Sequence, residues 1–228
     1  MEFDSYLFIL KRLNDHGYAA YFVGGCVRDF FLGNHIKDVD IATSAPQLRV
    51  QQLFNDTDMD SSSSHFGVVT LNKPVICQIT TFRTESEYHR HRYPTKIIFT
   101  EDVSMDAMRR DFTVNALYMD KDMNLYDPYN GLTDLKQAVL RSIGDPKLRI
   151  NEDALRILRA IRFSIILGFR LEDNLLNACI ELSDTLNFLK KNAIVLERKK
   201  LFEIDLSEKQ REALEYYRKI IPTLSKYL

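Results

Sequence analysis

Apolar and polar positions follow two different rhythms along this chain, and the change falls near residues 136–150. Before it, short apolar runs alternate with helical stretches. Phe3, Tyr6, Leu7, Leu10 and Leu13 share one face of a helix over residues 3–16, which Gly17 stops. Tyr21, Phe22 and Val23 are continuously apolar and end at Gly24-Gly25, the pattern of a buried strand. Helical spacing resumes from Cys26 to Leu32 and turns at Gly33-Asn34 into a short strand carrying Asp38, Val39 and Asp40. Residues 46–54 predict a helix and 56–64, with four successive serines, a loop. Residues 66–71 and 75–81 are β-rich and flank Asn72-Lys73-Pro74, a hairpin signal. Residues 83–102 are polar and irregular, which predicts a loop. A helix over 105–110, a strand pair at 117–119 and 125–126, and a turn from Asp127 to Gly131 follow.

From residue 151 the pattern is helical throughout. Asn151 is expected to cap a helix with Glu152 and Asp153 in its first turn. Leu155, Leu158, Ile161 and Ile165 form its apolar stripe, and Gly168 ends it. Residues 172–189, 193–204 and 207–227 predict three more helices. The expected class is α+β: a head over residues 1–135, built as a small mixed sheet with helices, followed by an all-α neck over 136–228.

Composition narrows the options. The 228 residues are 45% hydrophobic and 28% charged, ordinary for a globular protein, and the net charge of −1 argues against polyanion binding driven by overall charge. Residues 188–228 hold ten Lys/Arg against six Asp/Glu, a mildly basic end that suits either RNA contact or a solvated face. The three cysteines form no CxxC pair, which disfavours zinc and suggests a reducing compartment. No apolar run is long enough for a bilayer span, and the first residues lack a signal-type cleavage region. A cytoplasmic protein without a membrane partner is expected.

The candidate chemistry centres on residues 21–45. A glycine pair between strand and helix lets a backbone approach a phosphate, with unpaired helical N–H groups facing it. Alternation puts Asp38 and Asp40 on one side of a strand, where they repel unless cations sit between them. A solvent-facing acidic pair is the plainer alternative. Arg109-Arg110-Asp111-Phe112-Thr113-Val114-Asn115 suits a triphosphate and ribose clamp, because guanidinium pairs bidentately with phosphate oxygens; surface charges at a helix end read the same way. Arg83, Arg90 and Arg92 interleaved with Tyr88 and Tyr93 fit either a solvated loop or one over an anionic substrate. Arg156, Arg159 and Arg162 form a basic stripe, in isolation more typical of a solvated face.

Several of these segments recur in order in one known family. GGCVRD from Gly24 with Asp38-Val39-Asp40, RRDFTVN from Arg109, DPYNGLTDL from Asp127, EDALRILRAIRF from Glu152 and Leu196-Glu197-Arg198 together resemble the class II branch of tRNA nucleotidyltransferases and bacterial poly(A) polymerases. That branch lies within the polymerase-β-like nucleotidyltransferases, and the resemblance covers roughly residues 18–204. It implies that Asp38 and Asp40 are catalytic and hold two Mg²⁺. It implies phosphate binding by Gly24, Gly25 and Arg28, and triphosphate and sugar binding by Arg110, Asp111 and Asn115. Asp153, Arg156, Arg159 and Arg162 are implied to bind the nucleotide, with CTP, ATP and the 3′ end of tRNA or another RNA as partners.

Base choice follows from chemistry once Asp153 and Arg156 are placed three apart on a helix. A carboxylate accepts from an exocyclic amine while a guanidinium donates to a ring acceptor. Cytosine and adenine present that edge; uracil and guanine present a carbonyl where the amine would be, leaving buried groups unsatisfied. Segment 64–69, SHFGVV, lacks the basic Gly-Arg-Arg-Phe-like run of the poly(A) polymerases, and the 83–102 segment has the full length of CCA-type enzymes. CCA addition to tRNA is therefore the expectation, with poly(A), A- or CC-addition and a catalytically weakened nucleotide- or RNA-binding relative as alternatives. Three departures from the family pattern stand out. Gln78 replaces a usual acid, Arg90 another, and the sequence ends at Leu228, where relatives continue into helical body and tail domains.

Overall fold

The computed structural model describes residues 2–60, 66–89 and 91–228, so Arg90, the whole serine run and the start of segment 64–69 lie outside the described residues. The chain divides into two compact units, one of residues 1–85 and 97–132, the other of residues 86–96 and 133–228. Residues 86–96, head by sequence position, thus cluster with the helical unit.

In the first unit, helix α1 (Leu7–Asp15) follows a single 3-10 turn at Asp4–Tyr6. Its apolar stripe buries Ile9, Leu10 and Leu13, and Phe3 stacks on Phe22 with ring centroids 4.3 Å apart. Strand β1 (Ala20–Val23), helix α2 (Gly25–Leu32) and strand β2 (Val39–Thr43) reproduce the strand–glycine–helix–strand order of the sequence. Helix α3 (Gln47–Leu53) leads to β3 (Met59–Asp60), β4 (Val68–Leu71) and β5 (Cys77–Thr81). One mixed sheet runs β3-β4-β5-β2-β1-β8-β9, closed at one edge by β8 (Tyr118–Met119) and β9 (Leu125–Tyr126). β2 lies between β1, antiparallel, and β5, parallel. Val39, Ile41, Cys77 and Ile79 are buried while Asp40 and Gln78 are exposed, so period-2 alternation sends these two polar side chains out of the core.

The loop expected over residues 83–102 is instead a two-stranded sheet, β6 (Arg83–His89) with β7 (Tyr93–Phe99). Polar residues occupy both faces of β6, and the apolar residues of β7 are consecutive at Ile97-Ile98-Phe99, so no alternation marks the pair in the sequence. Helix α4 (Val103–Met108) begins with Asp102, whose carboxylate accepts from the Ser104 N–H.

The second unit begins within helix α5 (Gly131–Lys136) and pairs β10 (Val139–Leu140) in parallel with β11 (Arg170–Leu171). Between them lie α6 (Pro146–Glu152) and α7 (Leu155–Leu167). This corrects the expected single helix capped by Asn151. Asn151 is inside α6, with its amide donating to the Lys147 carbonyl at 3.0 Å. Asp153 is extended (φ −139°, ψ 99°) and its carboxylate takes the Leu155 N–H at 3.0 Å. The acid starts α7 rather than riding in its first turn, because a short side chain competes with the helical ladder for backbone N–H groups. Helices α8 (Asp173–Glu181), α9 (Lys191–Phe202) and α10 (Glu208–Ile220) complete the unit, the last opened by a Ser207–Gln210 capping box.

Candidate functional site

In the first unit, several of the candidate side chains gather at the end of β1. Gly24 has φ +78°, a conformation L side chains rarely adopt, and a Cβ built on it would lie 3.5 Å from Arg110 Nη1 and 3.8 Å from the Asn115 carbonyl. A Cβ on Gly25 would lie 3.6 Å from Arg28 Nη2. The glycine pair therefore opens a bare backbone surface against two guanidiniums, at the N-terminus of α2. Arg28 is fixed by a bidentate pair to Asp29 at 2.9 Å and by donation to Asn115 Oδ1 at 2.6 Å. Asn115 in turn donates to Asp111 Oδ1 at 3.1 Å, and that oxygen also accepts from the Phe112 N–H. Arg28, Asp111 and Asn115 are all buried. Sequence positions 28, 111 and 115 thus form one hydrogen-bonded chain. Behind it, a Cβ on Gly131 would sit 2.2 Å from the Thr113 carbonyl, so the Asp127–Gly131 turn presses on the backbone of the Arg109–Asn115 segment. Asp127 holds that turn by accepting from the Gly131 and Leu132 N–H groups.

Asp38 immediately precedes β2 and Asp40 lies on it, both exposed. Asp40 pairs in register with Gln78 on β5, so the amide stands beside the acid at the position where the resemblance expects a further acid. Although Asp40 stays open to solvent, the protein around it removes part of its hydration, and this first raises its pKa; Arg110 pulls it down and the Asp38 charge pushes it up. The three charges therefore feel one another. No cluster of three or more metal-ligating His, Cys, Asp or Glu side chains exists among the described residues, so a cation here would rest on two carboxylates and water. Hard oxygen donors of that kind fit Mg²⁺, which keeps several waters and takes one or two carboxylates.

Sequence reasoning missed Asp106 and Tyr118. Asp106 is wholly buried and accepts from Arg109 Nε at 2.9 Å, Arg110 Nη2 at 3.1 Å and the Tyr118 hydroxyl at 2.7 Å. Burial alone would raise its pKa, but Arg110, Arg109 and Tyr118 hold it at about 2. The signal was present: the acid stands three and four residues before two arginines, the spacing of neighbours on a helix.

In the second unit, Asp153 accepts from Arg92 Nη1. Burial raises the Asp153 pKa, with Arg92 and Arg156 opposing the rise. His91 fastens the same segment: its carbonyl accepts from the Ala154 N–H at 2.9 Å, its Nδ1 lies 2.7 Å from the Asn151 carbonyl, and its ring stacks on Phe188 at 5.1 Å. Arg156 is buried beside Asp153, its backbone N–H donating to the Asp153 carbonyl at 3.0 Å. Arg159 and Arg162 instead converge on buried Glu197, at 3.7 and 2.7 Å, and Arg162 lies over the Phe163 ring at 4.1 Å. The basic stripe therefore splits between two acids.

Residues 20–141 match the poly A polymerase head domain. A CCA-adding enzyme of Geobacillus sp. (strain WCH70) is 44% identical over 201 residues, 88% of this chain and 50% of the relative. One from Lactobacillus johnsonii is 41% identical over 215 residues, 94% of this chain and 53% of the relative. Among solved structures, a Bacillus stearothermophilus CCA-adding enzyme in complex with CTP superposes with a TM-score of 0.82 at 32% identity, covering 99% of this chain and 52% of that one. A tRNA nucleotidyltransferase complexed with a primer tRNA and an incoming ATP analogue gives 0.78 at 26% identity, over 96% and 62%. The chain spans about half the length of the curated relatives it matches. The shared fold is a polymerase-β-like head with a helical region. With a family match running over more than half of its residues, the chain belongs to the poly A polymerase head domain family.

Proposed function

We propose that this chain transfers nucleotides to an RNA 3′ end without a nucleic-acid template, adding C and A from CTP and ATP to the 3′ end of tRNA. The observation that carries this reading is the position of Arg110, beside the Gly24 turn and within electrostatic reach of Asp40. A triphosphate laid on that turn would meet backbone N–H groups and the Arg28 and Arg110 guanidiniums, with Asp40 within electrostatic reach of Arg110. The named relatives, CCA-adding enzymes, support tRNA as the acceptor.

Gly24 and Gly25 offer backbone to the phosphates, and Arg28 and Arg110 pair with phosphate oxygens. Asp111 and Asn115 orient the sugar through the hydrogen-bonded chain that ends on Arg28. Asp38 and Asp40 hold Mg²⁺, which when bound supplies Lewis-acid activation of the RNA hydroxyl and charge neutralisation for departing pyrophosphate. In the helical unit, Asp153 and Arg156 read the base edge, Asp153 taking the exocyclic amine and Arg156 donating to the ring acceptor. Arg159 and Arg162 contribute by positioning α7 through Glu197. A cytoplasmic location belongs to the same reading and is supported by the free thiols of Cys26, Cys77 and Cys179.

Gln78 beside Asp40 favours one second reading, a chain that binds nucleotide or RNA without extending it. Supplying tRNA lacking its CCA end with each labelled nucleoside triphosphate in turn separates them. The principal reading expects incorporation of C and A only. ATP-only tails on any RNA would mark poly(A) addition, and nucleotide binding without incorporation the second reading.

A further inference from the structure

The polar group buried most completely beside the candidate site, Asp106, touches no position where substrate is placed, and yet it contacts both arginines of the Arg109–Asn115 segment. Its Oδ1 accepts from the Arg109 Nε and, at 3.2 Å, from the Arg83 N–H where β6 begins. Its Oδ2 accepts from Arg110 Nη2 and from the Tyr118 hydroxyl. Tyr118 completes the arrangement by accepting from Arg110 Nε at 2.7 Å, while the guanidinium lies 5.0 Å from its ring centroid. A hydroxyl that donates to the acid and accepts from the arginine links the two in one direction only.

Nε and Nη2 of Arg110 are thereby held by Tyr118 and Asp106, and Nη1 lies beside the Gly24 backbone, 3.5 Å from where a Cβ on that glycine would stand. A planar guanidinium gripped at Nε and Nη2 has no rotational freedom left at Nη1. Charge points the same way. Arg83 is paired with Glu85, and Arg109 is shared between Glu85 and Asp106, so the acids draw the arginines into one linked cluster. Without Asp106 the adjacent guanidiniums of Arg109 and Arg110 would repel each other apart.

We propose that Asp106, acting with Tyr118, is a positioning residue for nucleotide binding: together they hold the Arg110 guanidinium so that Nη1 meets the triphosphate at the glycine turn. The proposal rests on the nucleotidyl-transfer reading above. It implies a contribution blind to the base, because every nucleotide carries the same triphosphate.

The test uses Tyr118→Phe, which keeps the buried ring and removes only the hydroxyl, alongside Asp106→Asn. Both are expected to raise KM for CTP and for ATP by about 10-fold and by the same factor, as loss of a hydrogen bond to a charged group does. Turnover at saturation should change by less than about 3-fold. In an Arg110→Lys background, Tyr118→Phe should add no further rise in KM, since it acts through that guanidinium. A purely structural role would lower kcat with the folded fraction and leave KM unmoved; that result, or additivity with Arg110→Lys, overturns the proposal. A wild-type protein that binds neither CTP nor ATP overturns both this proposal and the reading beneath it, whereas normal wild-type binding with unshifted variants overturns this proposal alone.

Discussion

Two buried aspartates, one in each unit, have opposite electrostatic fates. Asp106 of the head accepts four hydrogen bonds, three of them from side chains, and its pKa falls to about 2. Asp153 of the helical unit accepts from Arg92 and one backbone N–H, and its pKa rises because burial outweighs those partners. A carboxylate saturated with donors is a fixed part, suited to holding arginines for any nucleotide. One short of donors gains most when a ligand brings another, such as the amine of cytosine or adenine. Under the proposed function, the head would supply chemistry common to all nucleotides and the helical unit the choice among them.

Four changes would break or sharpen that division. The largest effect is expected from Asp38→Asn, which should cut incorporation of every nucleotide by about 10³-fold or more while the melting temperature holds, read by single-turnover assays. Glu197→Ala comes next, leaving Arg162 buried without its 2.7 Å partner; denaturant unfolding should show a loss of about 3 kcal/mol. Arg156→Ala should lower kcat/KM for CTP and ATP by about 30-fold with little change for UTP and GTP, flattening the preference measured by competition. The smallest is a pH effect. Asp106 titrates at about 2 when folded against an ordinary 3.8, so its contribution is complete above pH ~4 and is lost as pH falls toward ~2. Stability measured across that window should drop by on the order of 2 kcal/mol in the wild type, and Asp106→Asn should lack that part of the slope.

Much of the head could be read directly from residue patterns. The apolar run stopping at Gly24-Gly25, the helical spacing after it and the alternation around Asp40 each have one physical interpretation, and β1, α2 and β2 follow it. The β6–β7 ribbon could not be read, because β6 is polar on both sides and has no fully buried residue, so the burial that normally writes the period into a strand is missing there. The break between α6 and α7 was hidden for a different reason. Asn151, Glu152 and Asp153 are good residues for a helix start, and only three-dimensional context decides which of them takes the cap. Arg162 shows the reverse limit: its spacing with Arg156 and Arg159 is legible, but its partner Glu197 is 35 residues away. Asp106 was legible in principle, through its helical spacing to Arg109 and Arg110, whereas its tie to Tyr118 depends on β8 lying next to β1 in the sheet.

The division of labour is tested most directly by measuring incorporation of all four nucleotides into tRNA lacking its CCA end, with wild type, Asp40→Asn and Asp153→Ala side by side. The account predicts that Asp40→Asn lowers every nucleotide by a common factor and that Asp153→Ala collapses the preference for C and A over U and G. Asp40→Asn altering the preference, or Asp153→Ala lowering all four equally, would contradict it.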